Sequence, residues 1–117
     1  MPHTIIPVPL DFTTSDALAH EIIETMVGYF GESERQIITT TIWDTYIFAR
    51  EAHDIQVRKS GEPYITHPLE AAKLLLRLKP DIVTVQSCIL HDVIEDTSKT
   101  ELDIEKLFGK NVAEICQ

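Results

Sequence analysis

Residues 91–96, HDVIED, place one histidine and three carboxylates in six positions, directly after the apolar SCIL of residues 87–90. A neutral imidazole and a carboxylate are good donors to a divalent transition metal. A further carboxylate can hold or deprotonate a metal-bound water. On a continuous helix with His91 at zero, Asp92 falls at about 100°, Glu95 at about 40° and Asp96 at about 140°. Val93 and Ile94 fall at about 200° and about 300°, so the polar groups share one arc and the apolar pair faces a core. His91 and Asp92 are therefore candidate ligands, and Glu95 and Asp96 are candidates for handling water, reaching the same site from a turn if the helix frays after Asp92. His67, in the Thr-His-Pro that opens a helix, is a natural third ligand. Arg58 and Lys59 form a basic pair with Gly61 two residues on. A loop of that kind can approach and clamp a phosphate.

The same residues also suit a plainer account. Single histidines more often pack or cap than ligate, acids clustered on a helix more often face water, and charged loops are common. Residue types and spacing leave both accounts open. His3 reads as part of a tail, His20 as the exposed side of a helix, and His53 as a packing or capping residue at a helix end. Tyr64 offers a ring for stacking or a filler for a buried loop.

These side chains need elements to position them. Residues 1–14 read as a tail or extended arm. Thr13 and Asp16 resemble a capping box. Leu18, Ile22, Met26 and Phe30 then recur at helical spacing, with Gly31 as the stop. Ser33 and Gln36 give a second capping signal, followed by Ile38, Ile42, Tyr46 and Ala49 on one helical face. Residues 57–65, VRKSGEPYI, read as a loop. Pro68 suits the first turn of the next helix, whose apolar face carries Leu69, Ala72 and Leu76, and Pro80 ends it. Asp81 caps a helix with Val85, Ile89 and Leu90. Thr100 and Asp103 cap another that ends at Gly109, and NVAEICQ opens one more. No segment alternates as a strand does, so the chain reads as all-α, with a tail over 1–14 and one domain over 15–117.

The 117 residues suit a single small domain, and 44% of them are hydrophobic. The formal net charge of -9 argues against a nucleic-acid groove. It does not exclude a phosphorylated small molecule met by a local cluster of cations. No apolar run approaches the roughly 20 residues of a membrane span, and the N-terminus does not read as a signal peptide. Cys88 and Cys116 are too few for a disulfide framework and fit a reducing, cytoplasmic compartment, with Cys88 expected to be a buried thiol.

Three stretches, FAREAHDIQVRKSGEPYITHPLEAAKLL, LHDVIEDTSKT and IEKLFGKNVAEI, closely resemble the hydrolase domain of the Rel/Spo alarmone enzymes, within the HD phosphohydrolase superfamily. The resemblance covers roughly residues 45–117. It implies a helical bundle, truncated here at its C-terminal side, with one bound manganese. The implied reaction removes pyrophosphate from the 3′ position of guanosine tetra- or pentaphosphate, (p)ppGpp, leaving GDP or GTP. By the resemblance, His67 is the first metal ligand and His91 and Asp92 are the paired ligands. Glu95 and Asp96 activate water, while Arg58, Lys59 and Ser60 lie beside the nucleotide. The family's fourth ligand is an aspartate on a later helix. The chain stops before it, so it is expected to be part of a longer protein, poorly active alone and prone to self-association. Two other readings are an HD phosphohydrolase for another nucleotide, such as a dNTP or a nicotinamide dinucleotide phosphate, and an incomplete HD module with a regulatory or interaction role.

Overall fold

Asp11, not Thr13, starts the first helix. Its Oδ1 accepts the backbone N–H of Thr13 at 2.9 Å and the Thr13 hydroxyl at 2.6 Å. The expected Thr13–Asp16 capping box is therefore replaced by an acceptor two residues upstream. The computed structural model describes residues 10–54 and 56–116. Helix α1, Thr13–Phe30, begins inside the stretch expected to be tail, and His3 lies outside the described residues. Gly31 ends it with φ of 110°, a conformation that favours glycine.

A short 3₁₀ turn, Glu32–Glu34, leads into α2, Arg35–His53. The Ser33–Gln36 capping box is absent, because that turn takes up the position and no side chain caps α2. Beyond it lie α3 (Thr66–Leu75), α4 (Ile82–Leu90), α5 (Val93–Asp96), α6 (Glu101–Phe108) and α7 (Lys110–Cys116). Two predicted caps form. Asp81 Oδ1 accepts from Thr84 N–H at 2.8 Å. Thr100 and Asp103 exchange reciprocal bonds at 3.2 and 2.8 Å. The described residues contain no strand beyond one isolated antiparallel bridge, Val57 to Pro63, so the protein is all-α.

The predicted faces largely become the core, but Phe30, expected on the buried face of α1, lies exposed at the helix end. Ala19, Ile22, Ile23 and Met26 of α1 meet Ile38, Ile42, Tyr46 and Ala49 of α2, all of them buried. Leu69 and Ala72 from α3, Val85, Ile89 and Leu90 from α4, and Val112 and Ala113 from α7 complete it. Helix α4 packs against α2, α3 and α7, which explains why Val85, Ile89 and Leu90 are all fully enclosed. His91 and Asp92 follow directly from this central helix, so the core itself fixes where they emerge. The α1–α2 pair is tied at one end by Tyr46, whose hydroxyl donates to Asp16, and by Arg50, 3.1 Å from the same carboxylate. Arg50 is thus held by α1. No described helix is long and apolar enough to cross a membrane.

Candidate functional site

The helix expected to run through residues 91–96 breaks instead at His91 and Asp92. The last turn of α4 tightens, with His91 N–H reaching Cys88 O at 3.5 Å, an i to i−3 contact. The imidazole folds back on the same carbonyl, with Nδ1 at 2.6 Å from Cys88 O. A carbonyl only accepts, so Nδ1 donates to it, and Nε2 is the nitrogen turned toward Asp92. That second nitrogen lies 3.2 Å from Asp92 Oδ2, with His91 side chain 44% exposed and Asp92 18%. One imidazole nitrogen and one carboxylate oxygen thus meet at the rim of the bundle, with the imidazole orientation fixed by a backbone acceptor, as metal-ligating histidines usually are.

Tyr64 occupies the centre of this corner. Its hydroxyl donates to Asp92 Oδ2 at 2.8 Å and lies 3.4 Å from Asp96 Oδ2. Burial, then the hydrogen bond from the phenol to Asp92, push the phenol well above its ordinary pKa, so it remains a donor. One face of its ring packs on His53, with centroids 4.6 Å apart, and His67 lies edge-on at 5.9 Å. His67 itself is exposed. Among the described residues no three His, Cys, Asp or Glu side chains converge as a ligand set. The structure therefore pairs His91 with Asp92 and links His67 to them only through Tyr64. The donor types at the pair suit a divalent cation, and Asp96, through the Tyr64 hydroxyl, is brought nearer to it than His67 is.

Asp96 joins the cluster through Tyr64, whereas Glu95 points to solvent and has no partner among the described residues. Arg58, Lys59 and Ser60 sit at the tip of a hairpin. Its neck is closed by Tyr64 N–H to Gln56 O at 2.9 Å, and its tip by Gly61 N–H to Arg58 O at 2.8 Å. Gly61 turns there with φ of 89°. Arg58 pairs with Glu62 at 3.0 Å and with Glu70 at 3.2 Å. Lys59 and Ser60 are exposed, and Lys59 has no ion pair among the described residues. Cys88 is half-buried rather than buried, while Cys116 is buried.

Sequence reasoning gave no site role to three residues of this corner, although it expected His53 to pack at a helix end, as it does; the first of the three is Tyr64, read there only for its ring. The second is His53, 1% exposed. Its Nδ1 is 3.2 Å from Gln56 Oε1, and its Nε2 is buried with no hydrogen-bond partner. The third is Gln56, whose Nε2 donates to the Asp96 carbonyl at 2.8 Å. Gln56 therefore offers Oε1 to His53 as an acceptor, which puts the imidazole proton on Nδ1. The only available signal was the His53–Gln56 spacing at a helix end, and that spacing does not by itself announce a partner on residue 96.

Burial lowers the His53 pKa from the ordinary 6.5, against the opposing pull of Gln56 and of the Asp92 and Asp96 charges, with His91 adding to the lowering. A depressed histidine contributes stability that is fully present above its unfolded value and lost as pH falls through the folded one. The gap in unfolding temperature between wild type and His53→Gln is therefore expected to narrow from about pH 8 to about pH 5. Thermal unfolding monitored by circular dichroism measures it. The charged neighbours are the same in both proteins, so parallel curves would remove His53 as the cause.

The HD domain family matches residues 45–117. The bifunctional (p)ppGpp synthase/hydrolase SpoT of Escherichia coli is 46% identical over 97 residues, 76% of this chain and 14% of that protein. A guanosine-3′,5′-bis(diphosphate) 3′-pyrophosphohydrolase of Vibrio cholerae is 48% identical over 71 residues, 61% of this chain and 10% of that one. A GTP pyrophosphokinase rsh of Brucella ovis is 33% identical over 98 residues, 84% of this chain and 12% of that one. The chain thus spans about a seventh or less of these relatives' lengths.

Proposed function

Because the chain belongs to the HD domain family, we propose that it is the hydrolytic module of a cytoplasmic alarmone enzyme, removing pyrophosphate from the 3′ position of (p)ppGpp. The observation that carries this reading is the His91–Asp92 pair, with its imidazole orientation fixed by Cys88 O, beside a hairpin that presents Arg58, Lys59 and Ser60. His91 and Asp92, with His67, would hold the metal, taken as manganese. Bound there, the ion supplies Lewis acidity and a water of lowered pKa. In the reaction the oxygen of water bonds to the phosphorus attached to the ribose 3′ oxygen, and that phosphorus–oxygen bond breaks. One proton of the water passes to a carboxylate, Asp96 or Glu95, and is returned to the ribose 3′ oxygen as it leaves as a hydroxyl. Asp96 is the better placed of the two acids, since Tyr64 already gathers it beside Asp92.

Arg58 and Lys59 would offset phosphate charge, and Ser60 lies beside them with an exposed hydroxyl. Arg58 must exchange its partners Glu62 and Glu70 for phosphate oxygens. Those ion pairs are partly exposed and so hold it weakly. The reading is tested by incubating the protein with manganese and (p)ppGpp and following release of GDP or GTP and pyrophosphate. A protein that binds manganese yet leaves (p)ppGpp intact while cleaving another nucleotide would move the reading to a different HD phosphohydrolase. Arg58→Ala is expected to raise KM about 10-fold or more with manganese affinity unchanged, the effect of one lost charge-assisted phosphate contact. Equal loss of metal and nucleotide binding would indicate a collapsed hairpin.

The interaction-module reading has one observation in its favour: the described residues contain no group of three donors arranged to hold a metal. Calorimetric titration with manganese separates the two, since a module with no metal role gives no saturable heat that depends on His91.

A further inference from the structure

Helix α5 has four residues, Val93–Asp96, far too few to persist without outside support. Part of that support is Val93, which is fully buried. Ile94 packs partly against the core, and the Thr97 hydroxyl donates to Val93 O; the side-chain bonds that reach α5 from elsewhere in the chain come from one place, the neck of the hairpin. Gln56 and Tyr64 are joined through their backbones by Tyr64 N–H to Gln56 O, and each sends its side chain to α5. Gln56 Nε2 donates to the backbone carbonyl of Asp96 at 2.8 Å. The Tyr64 hydroxyl donates to Asp92 Oδ2 and reaches toward Asp96 Oδ2. Behind both stands His53, whose Nδ1–H donates to Gln56 Oε1 and whose ring supports the Tyr64 ring. The tip of the same hairpin carries Arg58, Lys59 and Ser60.

We infer that Gln56 and Tyr64 are positioning residues, buttressed by His53, through which the nucleotide-facing hairpin sets the placement of Asp92 and Asp96. This deepens the reading of the corner as a metal and nucleotide site, and it rests on that reading for its consequence. A hairpin displaced at its tip by a bound polyphosphate must move its neck, and the neck holds both acids. Conversely, loosening the neck loosens the acids without touching the core, because neither Gln56 nor Tyr64 belongs to the buried cluster.

The test uses Tyr64→Phe, Gln56→Glu and the double variant in this chain. Tyr64→Phe keeps the ring and removes only the donor. Gln56→Glu keeps the length and the acceptor for His53 but loses the donor to Asp96 O. Amide hydrogen exchange is read at Asp96 and Thr97, whose N–H groups bond to Asp92 O at 2.9 Å and Val93 O at 3.1 Å. Exchange at these two amides is expected to quicken about 10-fold, as for one lost hydrogen bond, while α4 amides and the unfolding temperature stay near wild type. Manganese affinity, by calorimetry, is expected to fall about 10-fold, the usual effect of losing a partner that orients a ligand. Unchanged exchange at Asp96 and Thr97 would overturn the proposal. So would faster exchange throughout α2 and α4 in step with a lower unfolding temperature, which would show a merely structural role. If local exchange quickens but even the wild type takes up no manganese, the positioning role stands and the metal reading of the corner fails.

Discussion

Replacing His91 by alanine is expected to weaken manganese binding by more than about 100-fold and to remove (p)ppGpp hydrolysis, with helix content near native. Outer partners of a metal ligand are worth about 10–100-fold, and a direct ligand is worth more. The fold has little at stake in this side chain. It is 44% exposed, its one hydrogen bond beyond Asp92 is to Cys88 O, and substitutions at such positions usually shift stability by less than about 0.5 kcal/mol. Asp92→Ala should show the same loss of metal but a less clean background, because Asp92 also receives the Tyr64 hydroxyl. Calorimetry with manganese, far-UV circular dichroism and a turnover assay, in a form of the protein that hydrolyses the alarmone, measure all three quantities. A His91→Ala protein that bound manganese with wild-type affinity would show that the ion sits elsewhere, and the assignment of His91 and Asp92 as ligands would fall with it.

The parts of this architecture that can be read from the sequence are those that rest on local periodicity. Ile38, Ile42, Tyr46 and Ala49 recur at helical spacing and are all buried, because a stripe of that width has only one way to leave water. Asp81 and the Thr100–Asp103 pair cap the helices expected of them, since no other acceptor competes at those positions. Thr13 does not cap, because Asp11 is closer to the orphan N–H groups of the first turn. Position 33 fails as a cap for a different reason: the chain takes a 3₁₀ turn there before α2 begins. In the candidate site, the residue types at His91, Asp92 and Asp96 suggest a chemistry, but the continuous helix drawn through them gives way to a turn at His91 and Asp92. His53, Gln56 and Tyr64 acquire meaning only from contacts spanning up to forty positions, as Gln56 does with Asp96. A pattern confined to neighbouring residues carries no trace of such a contact.

Ile89→Ala is expected to cost about 2–5 kcal/mol of folding stability while leaving every polar group of the site in place. Ile89 is fully enclosed on a helix packed against α2, α3 and α7. Three rigid neighbours cannot all close over the missing methylenes, so most of the cavity persists. A domain of this size holds about 5–15 kcal/mol in total, so the variant should sit close to its unfolding threshold. The contrast is Leu78→Ala, at a side chain 79% exposed, which should change stability by less than about 0.5 kcal/mol. Urea unfolding at constant temperature compares the two through their midpoints, with an unchanged slope as the sign that both remain two-state. Equal midpoints would contradict the placement of α4 at the centre of the bundle. That placement matters beyond stability. His91 and Asp92 leave the C-terminal end of α4 with no intervening loop, so the rigidity of the proposed ligand pair derives from the packing around Ile89 and Leu90. A cavity there should therefore weaken manganese binding even at temperatures where the variant is fully folded.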